Sequence, residues 1–394
     1  MNETQAIIAT YTQHPSKITY LATVVNTKGS TYRRPGAKML ITSTGEIIGM
    51  VSGGCLENDV YEHTCQRMPD GKPILVTYDT TADEDILWGF GLGCNGIVQV
   101  LIERLDEKDP CNPLNFLSQC LDKKQQGAFC PADSSGAIAT IFAVEGNIKA
   151  NIGCRLILHD DGSIITNITD SNLTQSIIAD TQVTLRNKKS SINKYQLSSG
   201  TVEVFIEIIQ PPTALIIFGA GADAIPVAQF AKTLGWHVTI VDCRANQATF
   251  SRFPMADEVI LTRREIIPKQ VTVDDQTVAV VMTHNYLDDL EIVKMLLPST
   301  AKYIGCLGPK KRTEKLLIDL YEQGLNYTNN QIEKLHFPIG IDIGAETPEA
   351  IAIAIIAEIQ AVLTKRDGGM LKHHQGAIHQ PLNRKETKIK PYQQ

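Results

Sequence analysis

Two cysteines on glycine turns are the residues of this chain best placed to do chemistry. In Ser52-Gly53-Gly54-Cys55-Leu56-Glu57 a thiol follows two glycines and precedes a helical pattern through Leu56, Asp59, Val60 and His63. That spacing predicts Cys55 in the first turn of a helix ending near Met68. Unpaired N–H groups at such a position stabilise negative charge and favour the thiolate, which attacks electrophiles and binds soft metals. Cys94 lies in a comparable run, Gly89-Phe90-Gly91-Leu92-Gly93-Cys94-Asn95-Gly96. A paired thiol site is the sharper reading, and small residues filling tight turns are the plainer one.

A second group could hold an anion. Arg33, Arg34 and Lys38 surround the Pro35-Gly36 turn, and cations beside exposed backbone N–H groups suit a phosphate. Together with Gly53 and Gly54 they are the expected cofactor-binding residues of this half; a solvated basic loop is the alternative. Further on, Gly219-Ala220-Gly221-Ala222-Asp223-Ala224 follows an apolar strand and opens a helix. In that context Gly219 makes the tight turn, Gly221 admits a pyrophosphate and Ala224 packs the helix closely. Asp242 ends the next strand, roughly 20 residues on, and is placed to accept a ribose hydroxyl. Its charge disfavours a 2′-phosphate, an argument that the nearby Arg244 blunts. His284 ends a later strand, where it could bond a ligand or move a proton. Capping of the following helix, with Asn285, Asp288 or Asp289 as the cap, is the competing reading. Asp342 precedes a helix opened by Pro348 and could meet a ligand hydroxyl.

These residues need a frame. The first half mixes strands over 18–26, 38–42, 46–51, 73–78 and 96–103 with helices to about 14, from 55 to 68 and over 110–126. Residues 187–199 are polar and weakly periodic, which predicts an exposed loop. Pro211-Pro212 breaks any regular element. Beyond it, strands over 214–218, 237–242, 277–283 and 302–307 alternate with helices over 224–234, 287–297, 310–323 and 348–363. Such alternation means a parallel sheet with helices on both faces. The expected class is α/β: an amino-terminal α+β domain over 1–210 carrying the cysteine loops, and a Rossmann-like doubly wound parallel sheet over 213–364. Residues 365–394 are expected as a polar tail, mobile or docked on a partner.

Composition narrows the function classes. The 394 residues are 43% hydrophobic and 20% charged, as in ordinary globular proteins. A net charge of −6 argues against a nucleic-acid partner. No apolar run reaches transmembrane length and the first residues lack a signal-peptide pattern, so no membrane contact and a cytoplasmic location are expected. The nine cysteines contain no Cys-x-x-Cys pair and read as free thiols of a reducing compartment. A homodimer is the commonest oligomeric prior.

The motifs taken together resemble the XdhC/CoxI family. The resemblance is carried by Gly29-Ser30-Thr31-Tyr32-Arg33-Arg34-Pro35-Gly36-Ala37-Lys38-Met39, by Ser52–Glu57 and by Gly91-Leu92-Gly93-Cys94-Asn95-Gly96. It continues through Gly219–Ala224, Thr283-His284 with Asp288-Asp289, Gly305-Cys306-Leu307-Gly308 and Pro338–Ala345, in family order over most of 20–363. Gly308-Pro309-Lys310 departs from the family's usual serine- or arginine-bearing variant. The resemblance implies a maturation factor for molybdenum hydroxylases such as xanthine dehydrogenase. Such a protein binds the molybdenum cofactor (molybdopterin or its cytosine dinucleotide form), protects it during sulfuration and delivers it to the apoenzyme. A cysteine desulfurase is the second implied partner. In that setting Cys55 and Cys94 become candidate molybdenum ligands. Arg33, Arg34 and Lys38 would hold the pterin phosphate, and the Gly219–Ala224 loop a cytosine dinucleotide or NAD. The competing functions are an NAD-dependent oxidoreductase using His284 and a sulfur-transfer protein carrying a persulfide on Cys55.

Overall fold

A computed structural model describes residues 3–13, 18–67, 70–80, 96–121 and 135–389, which fall into two compact units. The first comprises Glu3–Pro211 and the chain from Gly376 onward. Its spine is the strand Thr19–Gly29, where alternation sends Leu21 and Val25 to one face and Ala22 and Val24 to the other. That strand is the middle of an antiparallel sheet ordered Ile47–Gly49, Lys38–Thr42, Thr19–Gly29, Gly96–Arg104, Ile74–Asp79. A second sheet runs Asn383–Lys388, Ser191–Leu197, Gly200–Ile209, Gly136–Gly146, Arg155–His159, Ile164–Thr166. The two sheets share a core in which Leu21, Val25 and Leu101 meet Ile138, Phe142 and Phe205. The helix Glu57–Arg67 covers the far face of the first sheet through Val60, and Ser171–Asn187 covers the second through Leu173 and Ile177. This is the α+β architecture expected.

Between the sheets, Glu103 and Arg155 form an ion pair with each side chain only 5% exposed. Removing one partner strands the other charge away from water. Glu103→Ala should therefore lower the unfolding free energy by about 3–5 kcal/mol, read from the urea midpoint. An unchanged midpoint would mean that solvent reaches the pair.

Two segments differ from expectation. Residues 187–199 contain a largely buried strand, Ser191–Leu197, rather than an exposed loop. Hydropathy hides it because two of its buried residues, Asn193 and Tyr195, carry polar groups satisfied by a buried carboxylate. Tyr195 Oη and Asn193 Nδ2 donate to Asp180 Oδ2 at 2.9 and 3.0 Å. The polar tail contributes the strand Asn383–Lys388, paired in parallel with Ser191–Gln196. Its sequence, Asn-Arg-Lys-Glu-Thr-Lys, has no apolar alternation to detect. Backbone pairing and two side-chain bonds hold it, Lys385 Nζ to Asp180 Oδ1 and Arg384 Nη2 to Asn26 Oδ1, both at 2.6 Å.

The second unit is built on Pro212–Gln375. All its strand pairs are parallel, in the order Glu258–Leu261, His237–Asp242, Ala214–Phe218, Thr277–Val281, Tyr303–Cys306, Leu335–His336. Helices Ala224–Thr233 and Pro348–Thr364 pack one face, through Val227, Ala231, Ile355 and Ile359. Helices Tyr286–Leu296 and Lys310–Glu322 pack the other, through Val293, Leu296, Leu316 and Leu320. Strand order reverses between Ala214–Phe218 and Thr277–Val281, so a crevice opens beyond the carboxyl ends of those strands. The glycine loop and His284 both stand there.

Candidate functional site

In the first unit, Cys55 stands two residues ahead of the helix Glu57–Arg67 and not in its first turn. A small hydrogen-bonded knot fixes it. Ser52 Oγ donates to Glu57 Oε2 at 2.6 Å and accepts the N–H groups of Gly54, Cys55 and Leu56 at 3.0–3.2 Å. Glu57 Oε1 accepts the N–H groups of Val51 and Ser52 at 3.0 and 2.7 Å. Burial alone would raise the Glu57 carboxyl, but its bonds from Ser52 and Val51 hold it below the usual carboxylate range. The Cys55 N–H is thus spent on Ser52, while the residue itself is exposed. Its hollow, about 240 Å³, is walled by Tyr32, Arg33, Leu56 and Val98, with Gly53 against the Tyr32 ring. Gly54 takes φ +106°, a glycine conformation that lets the chain turn before the cysteine. Cys94 lies outside the described residues, and with it the expected approach of the two sulfurs.

The three cations separate. Arg33 lines the hollow and bonds Glu3. Arg34 bonds the carbonyl of Gln380. Lys38 stands apart from the other two. It belongs to the strand Lys38–Thr42, its side chain is 6% exposed, and its Nζ donates to Glu207 Oε1 at 2.5 Å and the Gly36 carbonyl at 3.0 Å. Strand alternation turns it into the space between the sheets, where it lines a separate hollow with Glu207 and Arg155.

In the second unit, Gly219 takes φ +116°, and a β-carbon there would lie 2.4 Å from the Met282 carbonyl oxygen. A β-carbon on Gly221 would lie 2.4 Å from Asp223 Oδ1, and Ala224 begins the helix fully buried. Asp223 makes no capping bond. Its Oδ2 instead lies 2.8 Å from Nε2 of the exposed His284. His284 itself adopts φ +59°. Asn285 is the cap of the next helix, accepting from the Leu287 and Asp288 N–H groups. Below, Thr283 Oγ1 and Arg312 Nη2 each bond the buried Asp289, at 2.5 and 2.6 Å, and so brace the His284 turn. Thr283, His284 and Asn285 line a cleft of about 330 Å³ together with Asp242, Cys243, Arg244 and Arg264.

Asp242 does end its strand, but not as an open acceptor. Oδ2 takes the Ala220 N–H and Arg244 Nη2, both at 2.6 Å; Oδ1 takes Arg244 N and Nε at 2.8 and 2.9 Å. Burial would raise this carboxyl, yet the bonds from Arg244 and Ala220 hold it low. Asp342 is exposed in the loop before Thr347, which caps the helix Pro348–Thr364, and it does not line the cleft. Burial pushes the Cys306 thiol up to about 12, marking it as a core residue. Sequence reasoning missed Ser52 and Glu57 as a clamp and missed the pair Asp223–His284; it set Arg244 near Asp242 without joining them as an ion pair. The spacing of Ser52 and Glu57 across the glycines was the available signal. No helix among the described residues is long and apolar enough to cross a membrane.

Fold and site define a two-unit protein, an α+β module presenting an exposed thiol and a Rossmann unit with a polar cleft. The chain belongs to the XdhC/CoxI family. Residues 17–79 match the model of the XdhC and CoxI family, and residues 215–359 that of the XdhC Rossmann domain. A Bacillus subtilis protein named as a probable subunit of xanthine dehydrogenase is 32% identical over 86% of this chain and 91% of its own length. The Escherichia coli molybdenum cofactor insertion chaperone PaoD is 20% identical over 87% of this chain and 82% of its own. A crystal structure described as a xanthine dehydrogenase from Bacillus halodurans superposes with TM-score 0.71 at 26% identity, covering 95% of this chain and 98% of that one.

Proposed function

We propose that this chain is a maturation factor for a xanthine dehydrogenase-type molybdenum hydroxylase, carrying the molybdenum cofactor as cargo and passing it to the apoenzyme. Support comes from kinship with the Bacillus subtilis protein named for xanthine dehydrogenase and with the insertion chaperone PaoD. The observation that carries the reading is the exposed Cys55, held by the Ser52–Glu57 knot at a hollow with aromatic and apolar walls. A sulfur is a soft donor suited to a thiophilic metal centre, and the walls suit a flat ring. Arg33 is the cation at hand for the pterin phosphate, and Cys94 is the proposed second sulfur. A cytosine dinucleotide form, or NAD, is the nucleotide proposed for the Gly219–Ala224 loop. A cysteine desulfurase and a second copy of the chain are the further proposed partners.

Protein incubated with molybdopterin should retain it through gel filtration, and Cys55→Ala should lower the retained fraction about tenfold, equivalent to about 1.4 kcal/mol. Full retention by Cys55→Ala would remove the thiol from the proposal. Should Cys55 gain the mass of one sulfur after exposure to a desulfurase, it acts as a persulfide carrier. A second reading, an NAD-dependent oxidoreductase, is favoured by the 2.8 Å His284–Asp223 pair. It requires an absorbance change at the nicotinamide band with an alcohol or acid, abolished by His284→Ala.

A further inference from the structure

We propose that the Rossmann cleft selects a nucleotide bearing a phosphomonoester at its ribose end, as in an NADP-type dinucleotide, over one with a free ribose diol. This rests on the reading of the Gly219–Ala224 loop as a nucleotide site, and puts an NADP-type nucleotide ahead of the cytosine dinucleotide and NAD named for that loop above. In this fold the carboxylate ending the second strand discriminates because its oxygens are open to both ribose hydroxyls. Here Asp242 has a side chain only 3% exposed, and its two oxygens already accept from Ala220 and from three nitrogens of Arg244. The group left facing the cleft is the guanidinium, 44% exposed at the side chain.

Arg244 is held in one orientation by the paired hydrogen bonds that its Nε and Nη2 donate to the Asp242 carboxylate. Its Nη1 makes no hydrogen bond among the described residues. A guanidinium fixed in this way offers a planar pair of donors, the geometry that phosphate oxygens fit. Thr262, just past the end of the neighbouring strand Glu258–Leu261, lines the same cleft, as does Arg264. The other carboxylate of the lining, Asp288, is engaged by Arg264 Nη1 at 3.0 Å. Both acids of the cleft are therefore matched by arginines. A diol would offer Arg244 neutral acceptors only, whereas a phosphate brings a full opposite charge and two oxygens that match the paired donors of the guanidinium.

Cys243 supplies the readout, since it is exposed and lines the cleft. The full chain is alkylated in the presence of NADP+ or NAD+, and modification of the Cys243 peptide is followed by mass spectrometry. NADP+ should protect at a concentration at least tenfold lower than NAD+. Arg244→Gln should bring the two nucleotides within about twofold of each other, and Arg244→Lys should recover only part of the preference. A thermal melt of each variant checks that the fold is retained. Equal protection by both nucleotides, or a preference that survives Arg244→Gln, overturns this proposal alone. Absence of protection by either nucleotide overturns it together with the nucleotide reading, and leaves cofactor retention at Cys55 as a separate question.

Discussion

Glu57→Ala should cost about 3 kcal/mol and abolish cofactor retention, although the residue presents no atom that a ligand needs. Its carboxylate accepts two backbone N–H groups and the Ser52 hydroxyl, and Val51 and Ser52 are themselves buried. Orphaning a buried donor costs about 1–3 kcal/mol, so two N–H groups and a freed hydroxyl reach that sum. The larger consequence is geometric. Without the carboxylate, Ser52 Oγ loses its fixed position, and the N–H groups of Gly54, Cys55 and Leu56 lose their shared acceptor. Urea unfolding measures the first effect and gel-filtration retention of molybdopterin the second. Glu57→Gln keeps an oxygen for the two N–H groups and should fall between wild type and Glu57→Ala. If Glu57→Ala keeps the wild-type midpoint and retention, the knot does not position Cys55.

The same carboxylate gives a signed pH effect. Its folded value lies below the ordinary one. Stability from Glu57 is thus fully present above its unfolded value, about pH 4.3, and is lost as pH falls through the folded value. The stability gap between wild type and Glu57→Gln should narrow below about pH 4. A gap constant down to pH 3 would show that the charge is not what the knot uses.

Gly219→Ala is the second large effect. A side chain at φ +116° is strained, at about 1–3 kcal/mol, before any contact is considered. The added carbon would also sit 2.4 Å from the Met282 carbonyl oxygen and 2.9 Å from the Thr283 α-carbon. Both are backbone atoms beside the strand Thr277–Val281 and cannot rotate away. The variant should lose about 3 kcal/mol or more and, where it still folds, lose nucleotide protection of Cys243. Gly54→Ala is the contrast. It has φ +106° but nothing within 4 Å of the new carbon, so only the conformational strain applies. If both variants melt at the wild-type temperature, backbone approach does not explain the glycine at 219.

The centre of the Rossmann sheet was legible because its four inner strands are largely apolar on both faces, whereas the short edge strands Glu258–Leu261 and Leu335–His336 carry too little pattern to detect. Gly219 follows Ala214–Phe218 directly, and Pro348 opens its helix behind the capping Thr347. The site was legible in residue type but less so in geometry. Cys55 was expected inside a helix because Leu56 and Val60 share helical spacing, yet Glu57 folds back and makes Leu56 the boundary. Lys38 looked like part of a basic loop, but alternation along its strand turns it inward toward Glu207. Asp242 carried the expected signal while its partner stood two residues on, a distance at which no periodicity marks a pair. Ser191–Leu197 escaped notice because Asn193 and Tyr195 are polar residues satisfied by Asp180.

The order in which this polypeptide is made does not follow the order in which its first unit is assembled. The strand Asn383–Lys388 closes the Ser191–Leu197 side of the second sheet, and the ribosome reaches it only after Pro212–Gln375 has been synthesised. Through that interval Ser191–Leu197 offers a row of unpaired peptide groups, a template for strands of other nascent chains. A gene fragment cut at Pro211 makes that vulnerable intermediate permanent, so the amino-terminal module is complete only when the later segment is supplied with it.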